Sequence, residues 1–424
     1  MKRFSSKAHV LQWIDRRVGV PVCFVLTLAR RVRDLFGRRA PLPPWRSVLF
    51  LKLTEQGSTV LAHEAVRLAV ARVGRENVHF LVFEENRFIV DLLGLVPAEN
   101  VLTVETRSAW SMASSGWRRL RAIRRKRLDA CVDMESFARF PAALAYLTGA
   151  RRRVGFHAYF GEGPYRGDLL THRLLYNPHQ HTSRTFTGLV LALDADPARL
   201  PTLPLVPPPS PAPPLFRAAP DEQAEMRRLI GCQGVAADRP LILLNANASD
   251  LLPLRRWPGE NYVALARRLL QEFADVVVAF TGAPDEAARS AELVQAVASP
   301  RCFCLAGRTT LRKLVVLFGL AEVLVTNDSG PAHFAALTEI DVVSLFGPET
   351  PLLYAAPGPR NHAVWAGLAC SPCVNAFNNR QTACRDNRCM QMITVGQVFE
   401  IVDRIYRRRM EDRPTPPRSD VPMP

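Results

Sequence analysis

Short apolar runs alternate with amphipathic stretches along most of this chain. Residues 47–53, 78–83, 100–104 and 128–132 are short stretches dominated by apolar residues, chiefly Val, Leu and Phe, as expected for strands buried on both faces. Between them, residues 60–73, 88–93 and 117–127 carry apolar positions at helical spacing. The alternation resumes with strands at 240–245, 275–280, 323–326 and 341–346, and with helices at 261–273, 286–298 and 311–318. Strand and helix in turn, at βαβ spacing, imply parallel sheets and an α/β fold. Residues 197–220 interrupt the pattern with ten prolines, which suit neither helix nor central strand. The chain therefore divides into an arm (1–44), a first α/β domain (45–200), a stiff linker (201–220), a second such domain (221–395), and a carboxyl-terminal helix and tail (396–424).

The 424 residues suffice for two domains with ordinary cores. Charge adds something the apolar pattern does not. The net charge is +16, and residues 1–44 supply +8 of it, with ten Lys or Arg against Asp15 and Asp34. Further basic runs lie at 118–127 and 151–153. Such an excess fits an anionic membrane, an acidic substrate or nucleic acid. The chain lacks the zinc-finger, RNA-recognition and basic-zipper signatures, so nucleic acid is not expected as a partner. Within the arm, residues 18–29 are apolar and bracketed by Arg16-Arg17 and Arg30-Arg31. A spanning helix needs roughly 20 apolar residues. This stretch is expected instead to lie on an anionic membrane surface, placing the protein peripherally on the inner, cytoplasmic face.

The richest chemistry lies where an apolar strand runs into Asn327-Asp328-Ser329-Gly330-Pro331-Ala332-His333. Asx and Ser suit a helix cap, and Pro331 suits a first turn. His333 early in a helix is disfavoured as a cation, and sits more naturally beside an anion held by backbone N–H groups. A phosphate-bearing ligand at the carboxyl end of a parallel sheet is the expectation. Among nine cysteines, Cys370, Cys373, Cys384 and Cys389 cluster at a spacing that fits a zinc site only loosely, leaving metal as an alternative to no metal.

These features together resemble glycosyltransferase family 9, the ADP-heptose:lipopolysaccharide heptosyltransferases. The resemblance is carried by residues 326–333, by Leu345-Phe346-Gly347-Pro348-Glu349-Thr350-Pro351, and by the cysteine tail from Cys370 to Met390. It implies a GT-B fold, two Rossmann-like domains whose parallel sheets face across a cleft, and inverting, metal-independent sugar transfer with no cofactor beyond the nucleotide-sugar donor. It also implies that Asp328, Ser329, Gly330 and His333 contact the donor, with Asn247, Ser249, Thr281 and Gly282 in loops beside it. Arg255-Arg256-Trp257-Pro258 is similar to a basic-x-Trp-Pro element whose Lys neutralises the leaving diphosphate; here Arg255 takes that place, a planar fork in place of a point charge. On the acceptor side, Lys52, Gly57 and Ser58 match the first strand–helix loop. The family's Asp after that Gly is the catalytic base. A serine, Ser58, stands there, so Glu55, the nearest carboxylate in the loop, is expected to replace it. The acceptor implied is a lipopolysaccharide-type or other glycolipid, or a polysaccharide. The missing Asp also leaves open a catalytically impaired protein that binds a nucleotide sugar or glycan at the membrane.

Overall fold

The computed structural model describes residues 7–36, 42–158, 164–200, 213, 215–249, 252–378 and 380–413. The expected linker, the ends of the arm and the last eleven residues lie largely outside that set. Among the described residues, twelve strands form two sheets, every pairing parallel. The first sheet holds β1 (Val48–Leu51), β2 (Val78–Phe83), β3 (Val101–Val104), β4 (Ala130–Asp133), β5 (Arg152–Phe156) and β6 (His172–Leu174), in the order β3-β2-β1-β4-β5-β6. The second holds β7 (Leu241–Asn245), β8 (Val277–Phe280), β9 (Cys302–Cys304), β10 (Val323–Asn327), β11 (Asp341–Phe346) and β12 (Asn361–Trp365), in the order β12-β11-β10-β7-β8-β9. Counted from β7, this is the same doubly wound order. The sequence shows no repeat, yet the topology occurs twice.

Helices cover both faces of each sheet, which explains the unbroken apolar runs of β1, β7 and β10: every residue of these strands is buried. In each sheet the winding reverses between the first strand and the fourth, at β1/β4 and at β7/β10. A doubly wound sheet opens its ligand crevice at that reversal. The carboxyl-terminal helix Val395–Glu411 is integral to the second unit, where Val398, Val402 and Ile405 pack in the core around β7 and β10. Ala376 and Phe377 reach back into the first core, and Phe377 meets Phe137 and Tyr176 at ring centroids of 5.5 and 5.3 Å.

The arm forms two helices, Lys7–Arg17 and Gly19–Phe36. It does not stand free as an arm given over to a membrane. Asp15 accepts from the backbone N–H groups of Arg139 and Phe140 at 2.8 and 2.9 Å, capping helix Arg139–Leu147. Cys23 packs with Ala143 and Leu169. Thr27 Oγ1 accepts from the Asp168 N–H at 2.8 Å. Among the described residues nothing covers the opposite face of Gly19–Phe36: Phe24, Val25, Leu28, Val32, Leu35 and Phe36 are between 48% and 87% exposed. No described helix is long and apolar enough to cross a membrane.

Candidate active site

A cleft of about 1770 Å³ lies between the carboxyl ends of the two sheets. The loops that follow β1, β4, β7, β8 and β10 all line it, so both winding reversals face one space.

From the second sheet, β10 delivers Asn327 and Asp328 to the rim. Asn327 is structural: its Oδ1 accepts from Trp257 N at 2.9 Å and from the Tyr262 hydroxyl at 3.2 Å, and its Nδ2 donates to Asn247 O at 3.0 Å. Ser329 occupies the N-cap position of the six-residue helix Gly330–Ala335, but its hydroxyl does not cap. It donates to Asn327 O at 3.1 Å. The first-turn N–H groups therefore lack the side-chain cap expected from the sequence. So short a helix carries little macrodipole, and those N–H groups themselves are what can meet an anion.

Trp257 is fully buried and donates from Nε1 to Ile393 O at 2.8 Å, which anchors the turn carrying Arg255. Arg256 is turned away, donating to Ala248 O at 2.7 Å. Arg255 points into the cleft, its Nη1 3.4 Å from Glu349 and 3.9 Å from Asp328. Asp328 and Glu349 are buried side by side. Burial, followed by the neighbouring Glu349 charge, pushes the Asp328 carboxyl well up, so it holds the proton of the pair. Burial also acts to raise Glu349, but Arg380 and Arg255 outweigh it and hold that carboxyl down. Burial, with His181 and Arg255 nearby, lowers His333 to about 4, leaving a neutral imidazole at neutral pH. Asp328 Oδ2, Glu349 Oε1, Arg255 Nε and His333 Nδ1 are all buried without a hydrogen-bond partner. Four such orphans in one place are unusual for a folded core and match a polar ligand site.

The other donor-side residues divide. Asn247 is tied down, its Nδ2 donating to Thr281 O at 3.3 Å and to Ser290 Oγ at 3.4 Å. Thr281 is buried and does not line the cleft. Ser249 and Gly282 do line it, with Ser249 exposed. A Cβ at Gly282 would sit 2.6 Å from Asn247 Nδ2, so only glycine allows this approach.

From the first sheet, Lys52 is buried rather than free in the cleft. Its Nζ donates to Thr54 O at 2.7 Å and pairs with Glu135 at 3.2 Å. Glu135 also accepts from Thr54 N at 2.8 Å and Thr54 Oγ1 at 2.9 Å, fixing the loop that bears Glu55. Arg166 secures the facing loop through Ala138 O, Phe156 O and the Asp133 carboxylate. Glu55 adopts φ 62°, the left-handed region. Its carboxylate ion-pairs with Arg380, accepts from Ser58 Oγ at 3.2 Å and lies 3.9 Å from Lys52. Burial favours its neutral form, but Arg380, Lys52 and the Ser58 hydrogen bond prevail and hold the carboxyl near 2. In this state Glu55 is ionised yet a very weak base. Gly57 marks a close approach of the two halves: a Cβ there would fall 2.6 Å from His333 Cδ2 and 3.3 Å from Gly330 Cα.

Sequence reasoning missed Glu349, Arg380 and Glu135. Glu349 stands three residues after β11 and Glu135 two after β4, and that place in a loop at a strand's carboxyl end was the available signal. Arg380 lies in an irregular segment and carries none. Cys370, Cys373, Cys384 and Cys389 are all free thiols. Among the described residues, no group of three or more His, Cys, Asp or Glu could hold a metal ion. Cys384 Sγ donates to Asp386 O at 2.9 Å instead.

The model of glycosyltransferase family 9 (heptosyltransferase) matches residues 117–383. The chain belongs to glycosyltransferase family 9. It is 36% identical to lipopolysaccharide heptosyltransferase 2 of Salmonella typhimurium over 119 residues, 28% of this chain and 34% of that protein. It is 34% identical to lipooligosaccharide heptosyltransferase 2 of Haemophilus influenzae over 142 residues, 32% of this chain and 40% of that protein. These matches span a third to two fifths of the curated relatives' lengths. In three dimensions, the chain is similar to the E. coli ADP-heptose lps heptosyltransferase II with a TM-score of 0.64 at 18% identity, covering 86% of this chain and 99% of that one. It is also similar to the E. coli heptosyltransferase WaaC with ADP, at a TM-score of 0.57 and 18% identity, covering 85% and 99%. Identities this low establish the shared GT-B fold.

Proposed function

We propose that this protein is an inverting, metal-independent glycosyltransferase that moves a sugar, heptose by kinship, from a nucleoside-diphosphate donor to a lipopolysaccharide-type or other glycolipid acceptor at a membrane. The carrying observation is the set of buried polar atoms without a hydrogen bond on Arg255, Asp328, Glu349 and His333, the two carboxyl oxygens among them held only by ion pairs to Arg255 and Arg380, facing Glu55 across the cleft. A diphosphate satisfies Arg255 and the N–H groups from Ser329 onward, and neutral His333 adds a hydrogen bond without opposing that positive field. Arg255 and Arg380 supply the positive charge for the leaving group, the role a divalent cation fills in other phosphate sites. The solved relative carrying ADP supports an adenine nucleotide, and the heptosyltransferase relatives support a heptose.

Arg380 gives the first domain its part. Drawn to the diphosphate, it releases Glu55, whose carboxyl then rises from about 2 toward the range of a useful base. Glu55 takes the proton from the acceptor hydroxyl as that oxygen attacks the anomeric carbon. The bond from that carbon to the diphosphate breaks on the opposite side, inverting the configuration, and the nucleoside diphosphate departs. Closure of the two halves excludes water that would otherwise hydrolyse the donor. The outward apolar stripe of helix Gly19–Phe36, flanked by Arg17, Arg31 and Arg33, fits an anionic bilayer on the cytoplasmic side.

One observation favours a second reading. Ser58 at the family's base position, with Glu55 locked to Arg380, suits a protein that binds donor without transferring it. A thermal-shift panel of ADP-, UDP- and GDP-sugars separates the two when paired with nucleoside-diphosphate release on membrane glycolipid extract. A true donor at 100 times Kd adds about 2.7 kcal/mol of stability. A shift together with release is expected. A shift without release would establish the binding protein, and no shift with any nucleotide sugar would defeat both readings.

A further inference from the structure

The cleft does not end at the polar site. The same cavity runs between helix Ala109–Lys126 and helix Arg139–Leu147, where Met112, Ala113, Gly116, Phe140, Leu144 and Leu147 line it, and reaches Val22 on the docked arm. Both helices cover one face of the first sheet, with Ile123 and Ala145 in a shared core cluster. Toward the groove, however, their side chains stay partly solvent-exposed. Phe140 is 39% exposed, and Met112, Leu144 and Leu147 are half-buried. A Cβ at Gly116 would make only an ordinary contact, 4.0 Å from Val104 Cγ1, so it is accommodated without a clash.

The groove narrows its own occupant. Gly116 has no side chain and the other five carry no N–H or O–H group, so a peptide or sugar laid along this stretch would leave polar groups unpaired; polar residues (Gln12, Asp15, Arg16 and Arg139) return where the cavity meets the arm. One end opens at Ser58 and Glu55, where an acceptor hydroxyl has to arrive. The other end meets the arm, whose far side is the uncovered apolar stripe. Along the rim stand Trp110 at 81% and Trp117 at 56% exposure, with the Arg121 guanidinium 5.0 Å from the Trp117 ring. Exposed Trp beside Arg is the composition of a bilayer interface, and the arginines complement an anionic head group. An occupant with a polar end at the reaction site and a hydrocarbon chain running toward the membrane meets all of these demands.

We propose that this groove holds a single hydrocarbon chain of the acceptor lipid, drawn partly out of the bilayer and steering the acceptor hydroxyl toward Glu55. The proposal rests on the glycosyl-transfer reading for the acceptor's role, though not for the binding of the chain. The groove belongs to helices of the first domain, so it should work independently of the donor site.

The test uses the full chain with dodecyl phosphate and butyl phosphate, both below micellar concentration, titrated calorimetrically. Buried methylenes strengthen binding steeply, so dodecyl phosphate should bind about tenfold or more tightly than butyl phosphate, at one per chain. Ala113→Trp fills the groove, and Gly116→Leu fills it from a second position where the added Cβ meets no clash. Each should lose about tenfold of the dodecyl phosphate affinity while the ADP-induced thermal shift stays as in the parent. Affinity independent of chain length, or both variants binding as the parent does, would overturn the proposal. So would loss of binding in the Phe24→Glu/Leu28→Glu double variant, which would put the chain on the arm's outer face. If the parent binds dodecyl phosphate but no ADP or nucleotide sugar shifts its melting, the transfer reading falls and the groove remains a lipid site.

Discussion

Glu55 is held in two uncomfortable ways at once. Its backbone sits in the left-handed region, which costs a non-glycine residue about 1 kcal/mol or more. Its carboxylate is clamped by Arg380, so that the group best placed to take a proton is, without donor, a weak base. Strain and clamping make sense together if the resting state is one the donor must undo. Glu55→Gln is therefore expected to cut turnover by about 100-fold or more while donor affinity is kept, measured as nucleoside-diphosphate release and by thermal shift. Full activity in that variant would remove Glu55 as the base. The clamp also has a pH signature. Because folding depresses this carboxyl from 4.5 to about 2, its stabilisation is complete above pH 4.5 and drains away as pH falls toward 2. Arg380→Ala should return Glu55 toward its ordinary value, so urea melts at pH 5 and pH 3 should differ less in the variant than in the parent. An equal loss in both would show that Arg380 is not the clamp. The sequence exposed Arg255, Asp328, His333 and Glu55 because each stands at a strand end or in a motif. Arg380 joins Glu55 from 325 residues away, through a segment without periodicity, and no local signal could announce it.

At the scale of elements, legibility followed burial. Central strands such as β1 and β10 are continuous apolar runs and could be read directly, whereas the edge strands β6 and β12 carry His172, Arg173, Asn361 and His362 and gave no such pattern. Helix Ala109–Lys126 begins eight residues before the basic run that marked it, because Ser108 and Ser111 form a reciprocal capping box ahead of it. The arm is the most instructive element, since its apolar content serves two faces. Cys23 and Thr27 dock on the first domain, and Phe24, Leu28 and Leu35 face outward. Deleting residues 1–44 would strip Asp15 from the start of helix Arg139–Leu147 and confound any membrane test. Phe24→Glu with Leu28→Glu touches only the outer face. It should release the protein from anionic vesicles into the supernatant after sedimentation, with stability changed by about 0.5 kcal/mol or less, as for other exposed positions. Retention on the vesicles would assign membrane binding to another surface.

Over the whole molecule, two sheets of identical strand order meet at the ends where their winding reverses, and the meeting is close. Gly57 touches His333 and Gly330, Arg380 reaches Glu55, and the Tyr176 and Tyr354 hydroxyls stand 3.5 Å apart. The proposed transfer needs this closeness, because its proposed base comes from one sheet and its proposed leaving-group cations come with the other. Sequence patterning could specify each sheet but not their approach, which depends on the absence of a side chain at Gly57. Gly57→Ala isolates that contact. Its φ is not in the left-handed region, so alanine brings no backbone strain there, and the new methyl acts as a wedge against the buried His333 ring. The halves must separate slightly or the ring must shift. Misplacement of about 1 Å in a reacting pair costs on the order of 100-fold in rate, so nucleoside-diphosphate release should fall by about tenfold or more. The donor loops after β7 and β8 are untouched and only the segment after β10 that bears Gly330 and His333 meets the methyl, so ADP affinity should fall by about threefold at most, less than 1 kcal/mol and less than turnover. Unimpaired turnover with the methyl in place would mean that the Gly57–His333 contact is not on the reaction path, and that transfer proceeds from a more open arrangement of the two sheets.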